Sequence, residues 1–283
     1  MNIETIGVIG AGTMGSGIAQ VAAQSGYEVI LVDVHQDFVL TGFEKIRERL
    51  EKRVEKGKLE SNEKDRILSK INTTITLEDF DNTDLIIEAV IENEGMKQQI
   101  FRDLDQICPE ETIFTTNTSS ISITRLASVT RRPERFVGMH FMNPAYIMKL
   151  VEIVKGLRTS DETVDMVIST AERMDKTPVI VNDFPGFVSN RVLMPMINDA
   201  ISCLQDGVAS RESIDSIMKQ GANQPMGTIE LADFIGLDVC LAILEVLHAE
   251  LGENYRPCPL LRKMVSAGLL GRKSGEGFYE YGK

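Results

Sequence analysis

Ile6-Gly7-Val8-Ile9-Gly10-Ala11-Gly12-Thr13-Met14-Gly15 constrains this chain more than any other stretch. An apolar, β-branched run enters a turn with glycines spaced G-x-G-x-x-G, and a helical pattern from Ile18 to Ala23 leaves it. The spacing alone is a weak signal. Between a strand and a helix it is the fingerprint of a dinucleotide-binding βαβ unit. Gly10 permits the tight turn, Gly12 lets backbone approach a pyrophosphate, and Gly15 lets the helix close on the strand. Ala11, Thr13 and Met14 complete the turn at a helix N-terminus, where phosphate is favoured. A second strand, Val29 to Val32, ends at Asp33, the place of an acid that binds the adenine ribose hydroxyls. A carboxylate there repels a 2'-phosphate, so the expected cofactor is NAD rather than NADP. A flavin also fits this turn, as does a strand–turn–helix that binds nothing and uses Asp33 as a helix cap.

The alternation continues. Strands are expected at Leu85–Ile87, Thr112–Thr115, Phe136–Met139 and Val179–Val181, with Leu150–Val154 a further apolar run. Short β-branched runs separated by amphipathic helices predict a mostly parallel, doubly wound sheet. A charged region from Asp37 to Lys70 interrupts the pattern. Phe43, Ile46, Leu50 and Val54 have helical spacing, Gly57 ends that helix, and a second covers Ser61 to Leu68. The pair reads as a helical hairpin projecting from the sheet. Asn182-Asp183-Phe184-Pro185-Gly186 punctuates the chain. Helices are expected beyond it at Val192–Leu204, Ser213–Met218, Val239–Leu251 and Leu260–Ala267. The expected architecture is α/β: a Rossmann-type domain over 1–184 carrying the hairpin, then an all-α substrate and dimerisation domain over 185–283.

The 283 residues, 43% hydrophobic and 25% charged, suffice for a real core. A net charge of -12 makes the chain a poor general binder of nucleic acid or of an anionic membrane. The chain lacks a run of about 18 apolar residues, and its start reads as a strand rather than a signal peptide. Cys108, Cys203, Cys240 and Cys258 lack the spacing of a metal or redox motif and read as reduced thiols. A cytoplasmic protein without a metal is expected. Its histidines, His35, His140 and His248, leave few candidates for histidine chemistry.

Four residues stand out. Ser119 and His140 each follow a strand, and ligands of open α/β sheets sit beyond the carboxyl ends of the strands. Glu152 lies within the apolar run Leu150-Val151-Glu152-Ile153-Val154 and needs a partner, because a buried carboxylate is costly without one. Asn190 lies near the start of the second domain. Ser119 and His140 have bland alternatives, a capping serine and a core histidine, while the glutamate in an apolar strand is less easily dismissed.

His140-Phe141-Met142-Asn143-Pro144, Met148-Lys149-Leu150-Val151-Glu152 and Pro185-Gly186-Phe187-Val188-Ser189-Asn190-Arg191 resemble the signatures of the L-3-hydroxyacyl-CoA dehydrogenase family. The likeness is strongest to its bacterial 3-hydroxybutyryl-CoA members. Asp233 to Asp238 and Gly271 to Tyr279 resemble the family's C-terminal domain, so the likeness spans Ile6 to Tyr281. It implies NAD-dependent oxidation of (S)-3-hydroxybutyryl-CoA to acetoacetyl-CoA, and the reverse reduction. It further implies His140 as the general base, Glu152 as the acid that orients it, and Ser119 and Asn190 as ligands of the reacting acyl group. Glu92, Lys97, Ser119, Asn143 and Lys273 match positions near the nicotinamide half of NAD. Arg49 and Lys56 match coenzyme A contacts. With Lys52 and Arg53 they form a basic face on the hairpin, interleaved with Glu48, Glu51 and Glu55. Tyr146 and Thr228 stand where the family commonly has proline, which bears on acyl-chain preference.

Two rivals remain at this level. One is another enzyme on the same fold, an NADP-dependent reductase or a dehydrogenase of free hydroxy acids. The other is a dinucleotide sensor without catalysis. Apolar residues in the last helices (Ile235, Leu241, Leu244, Val246 and Leu247) exceed what a domain of this size needs, and a homodimer is expected, as the resemblance also implies.

Overall fold

The computed structural model describes residues 2–282, and the chain divides into two compact units, Met1–Asp183 and Phe184–Lys283. Unit 1 opens with β1 (Thr5–Ile9), α1 (Thr13–Gln24) and β2 (Glu28–Val32), followed by the helices α2 (Gln36–Glu55) and α3 (Ser61–Ser69). Next come β3 (Ile71–Thr74), β4 (Leu85–Glu88), α4 (Glu94–Ile107), β5 (Ile113–Thr116) and α5 (Ile123–Ala127). It closes with β6 (Phe136–Phe141), β7 (Leu150–Lys155), α6 (Asp161–Arg173) and β8 (Thr177–Asn182). The strands form one sheet in the order β3-β2-β1-β4-β5-β6-β7-β8. Neighbouring strands are parallel except β6 and β7. The order reverses between β1 and β4, which opens a crevice at their carboxyl ends.

β3 was absent from the sequence reading, for a physical reason. Ile71 is its only apolar residue, so this edge strand carries no alternation to detect. β5 starts one residue later than expected. Thr112 stays outside it and donates its hydroxyl to the Thr83 carbonyl at 2.6 Å.

The hairpin does not project from the sheet. Ile46 and Leu50 of α2 and Ile67 of α3 are buried in the same core as Val8, Val29 and Ile71. A Cβ on Gly42 would lie 2.5 Å from the Ala11 carbonyl oxygen, so α2 meets the glycine turn at backbone distance. The apolar stripe that marked the helix also lays it along the body of unit 1.

Unit 2 comprises α7 (Ser189–Gln205), α8 (Arg211–Gly221), α9 (Thr228–Ile235), α10 (Leu237–Leu251) and α11 (Pro259–Ser266). α9 lies outside the helices expected from the sequence. Its first turn is capped from a distance: Asp215 accepts the amides of Ile229 at 2.7 Å and Glu230 at 3.0 Å. Local spacing cannot report such a cap. The apolar residues counted as surplus are mostly spent inside the unit. Leu244 and Leu247 are fully buried, and Ile235 and Leu241 pack against the same cluster. Phe184, Val188, Val192, Val208, Ile217, Phe234 and Val239 are the exposed large apolar residues among those described in this unit. Among the described residues, no helix is long and apolar enough to cross a membrane.

Candidate active site

The turn between β1 and α1 has the conformation its glycines suggest. Gly10 has φ +97°, a left-handed value that a side chain resists, and a Cβ on Gly15 would overlap the Gly10 carbonyl at 1.7 Å. Gly12 is the N-cap of α1 and offers no side chain to the first amides of the helix. A Cβ on Gly12 would meet nothing within 4 Å among the described residues. Asp33 braces the turn from β2: one carboxylate oxygen accepts the Ala11 amide at 2.7 Å, the other the Val34 amide at 2.7 Å. Each oxygen keeps a lone pair for a ribose hydroxyl. Uncapped amides, open space above Gly12 and an acid at the end of β2 fit a dinucleotide.

Further along the sheet, His140 and Glu152 are register partners of the antiparallel pair β6–β7. Such partners point to the same face, so strand pairing itself brings them together. His140 Nδ1 lies 2.8 Å from Glu152 Oε2, and both residues are buried, at 5% and 2% exposure. The other ring nitrogen, Nε2, lies 3.1 Å from Ser119 Oγ in the loop after β5. Asn117 ties that loop to β6 by accepting the Phe141 amide at 2.8 Å.

A second polar cluster adjoins this one. Lys97, on the first turn of α4, is 1% exposed and donates to Glu88 Oε1 at 2.6 Å. It also lies 3.4 Å from Glu92 Oε2. The second Glu88 oxygen accepts the Thr116 hydroxyl at 2.6 Å. Burial pushes the Glu88 carboxyl above its ordinary range, against the opposing pull of Lys97. Burial acts on Glu92 in the same sense, but Lys97 and hydrogen bonds from Thr118, Ser119 and Ser120 outweigh it and hold Glu92 low. The sequence reading missed Glu88, Thr116 and Thr118. A signal for Glu88 was available: it ends the wholly apolar strand Leu85-Ile86-Ile87, the same argument that singled out Glu152.

The basic face of the hairpin divides. Lys52 and Lys56 are exposed. Arg49 is half-buried, and donates to the Gln20 side chain at 2.8 Å and to the Ser16 carbonyl at 3.2 Å. Its guanidinium stacks on Tyr146 at 4.7 Å. The unexpected tyrosine therefore packs on α1 and α2, where it also faces Gly17. Asn143 is exposed in the loop after β6. Two expected residues belong to unit 2: Asn190 stands in the first turn of α7, and Lys273 pairs with Asp238.

The family model for the 3-hydroxyacyl-CoA dehydrogenase NAD binding domain matches residues 5–184, and that for the C-terminal domain matches 186–281. This chain belongs to the 3-hydroxyacyl-CoA dehydrogenase family. It is an NAD-dependent dehydrogenase. A probable 3-hydroxybutyryl-CoA dehydrogenase of Deinococcus radiodurans is 58% identical over 276 residues, which cover 97% of this chain and 99% of that protein. A 3-hydroxybutyryl-CoA dehydrogenase of Bradyrhizobium diazoefficiens is 49% identical over 280 residues, 99% of this chain and 96% of that one. Among solved structures, the (S)-3-hydroxybutyryl-CoA dehydrogenase of Ralstonia eutropha superposes with a TM-score of 0.96 at 47% identity, covering 100% of both chains. In this dehydrogenase the open glycine turn follows the carboxyl end of β1, and His140 lies near the carboxyl end of β6 with Glu152 beside it on the antiparallel β7.

Proposed function

We propose that this dehydrogenase interconverts (S)-3-hydroxybutyryl-CoA and acetoacetyl-CoA, with His140 as its acid–base group and Glu152 as its partner. The observation that carries the reading is the line Ser119–His140–Glu152, with contacts of 3.1 and 2.8 Å. Nε2 faces the serine hydroxyl while Nδ1 is held by a buried carboxylate. The names of the relatives supply the substrate.

In the oxidation, neutral His140 takes the proton of the 3-hydroxyl at Nε2. Glu152 keeps the ring oriented and stabilises the imidazolium that forms. Ser119 and Asn190 donate hydrogen bonds to the oxygen on which charge develops. Bound NAD supplies the hydride acceptor and NADH the hydride donor. In the reduction the imidazolium returns its proton to the oxygen of the 3-keto group. The exposed cations Lys52 and Lys56 meet the phosphates of coenzyme A. Two copies pair through the exposed apolar residues of unit 2, and light scattering at micromolar concentration would find a dimer.

The test is NADH consumption with acetoacetyl-CoA by the wild type and by His140→Ala. The variant should lose about 10²–10⁴-fold in kcat, the usual share of a general acid–base group, and still bind NADH. Turnover that survives the change overturns the acid–base assignment. A wild type that binds NADH and leaves acetoacetyl-CoA untouched overturns the substrate.

A further inference from the structure

Glu92 carries an unusual load. Its Oε1 accepts the Thr118 hydroxyl at 2.6 Å, the Ser119 amide at 2.9 Å, the Ser120 amide at 3.0 Å and the Ser120 hydroxyl at 3.0 Å. Four donors from three consecutive residues converge on one oxygen and exhaust its acceptor capacity. The other oxygen faces Lys97, which Glu88 pins from behind at 2.6 Å. Lys97 is 1% exposed, so its charge reaches the site through these acids. The held segment carries the hydroxyl that sits 3.1 Å from His140 Nε2.

We infer that Glu92 is a positioning residue for Ser119: its carboxylate, fixed by the buried Lys97–Glu88 pair, sets where the serine hydroxyl stands against His140. The inference rests on the proposed role of Ser119. It gives Glu92 work directed at the acyl site, beyond the nicotinamide contact that the family resemblance implies. The anion is required. In a glutamine, the amide nitrogen would face either Lys97 or the four donors, and a donor cannot serve in either place. Small displacements of a group that orients substrate are costly, up to about 100-fold for about 1 Å.

The experiment compares the full-length wild type with E92Q, S119A and E92Q/S119A. It reads acetoacetyl-CoA reduction, NADH affinity, and amide hydrogen exchange at Ser119 and Ser120. E92Q should lower kcat by about tenfold or more and move the NADH Kd by less than about twofold. Added to S119A, it should cost less than about twofold, because residues acting through one group are not additive. The two amides should exchange at least about tenfold faster once the anion that holds them is gone. Losses that multiply in the double variant would overturn the inference, as would an NADH Kd that rises in step with the fall in kcat/KM. The first result would mean that Glu92 acts independently of Ser119, the second that it acts through the cofactor alone. If the wild type leaves acetoacetyl-CoA untouched, the proposed substrate fails on its own. The exchange data then decide, and unchanged protection at Ser119 and Ser120 would overturn the positioning role. Should E92Q not fold, E92A takes its place with the same expectations, since it too removes the anion.

Discussion

Each unit holds two linked acids, and uses them differently: Asp215 and Asp233 of unit 2 are both buried, whereas in unit 1 Glu88 is buried and Glu92 is exposed. In unit 2, Asp233 accepts the amides of Phe278 and Tyr279 at 3.0 and 2.9 Å and the Tyr281 hydroxyl at 3.1 Å. Asp215 takes the Tyr279 hydroxyl at 2.8 Å besides the first amides of α9. The donors to these acids are backbone amides and tyrosine hydroxyls, and they fasten the segment around 278–281 to α8 and α9. In unit 1 the acids share a buried cation, and their outer hydrogen bonds end on the half-exposed serine that faces His140. A carboxylate that gathers several hydrogen bonds can therefore be a fastening or part of a site. What the acid holds in place does.

The largest expected effect comes from removing the shared cation. Lys97→Met leaves Glu88 fully buried without its charge partner, which should cost about 3–5 kcal/mol in urea unfolding. Neutralising both members, in E88Q/K97M, should recover much of that loss. A single variant as stable as the wild type would mean that Glu88 is protonated in the folded protein, and the contrast between the units would vanish.

Asp233→Ala should cost less, about 2–3 kcal/mol, because it strands neutral donors rather than a charge. Its loss should be local, appearing as faster proteolysis of the chain after Gly271. A larger loss than that of Lys97→Met would reverse the ranking and show that the fastening in unit 2 outweighs the ion pair.

The sequence showed these features unevenly. The glycine turn and Asp33 were legible because backbone geometry demands particular residues there: a positive φ at Gly10 and a close approach at Gly15. The β-branched runs of the inner strands were legible from their apolar character. The contact of His140 with Glu152 was not a matter of spacing. It follows from antiparallel register, and only the family resemblance paired the two residues beforehand. β3 lacked an apolar pattern, and α9 is capped by Asp215 from α8, so both depend on long-range partners that no local window contains. Arg49 looked like a member of an exposed basic face. Helical periodicity gave its angle around α2 only coarsely, and the partners that draw it inward, Gln20, Ser16 and Tyr146, come from other elements.

The smallest effect is also the sharpest comparison, because it differs in sign. Glu92 is held below its ordinary value of 4.5: burial opposes this, but Lys97 and the loop donors prevail. Its stabilising contribution is present above that value and is lost as pH falls through the lower, folded one. Asp233 is raised above its ordinary 3.8, since burial outweighs its hydrogen bonds. Its contribution is present below 3.8 and is lost as pH rises through the higher, folded value. Acidification from neutral pH should therefore shrink the Tm gap between the wild type and Glu92→Gln, and widen the gap between the wild type and Asp233→Asn. Thermal unfolding of the three proteins across the acidic range measures both gaps. If they move together, the two acids meet the same electrostatics, and only what they hold distinguishes a fastening from a site.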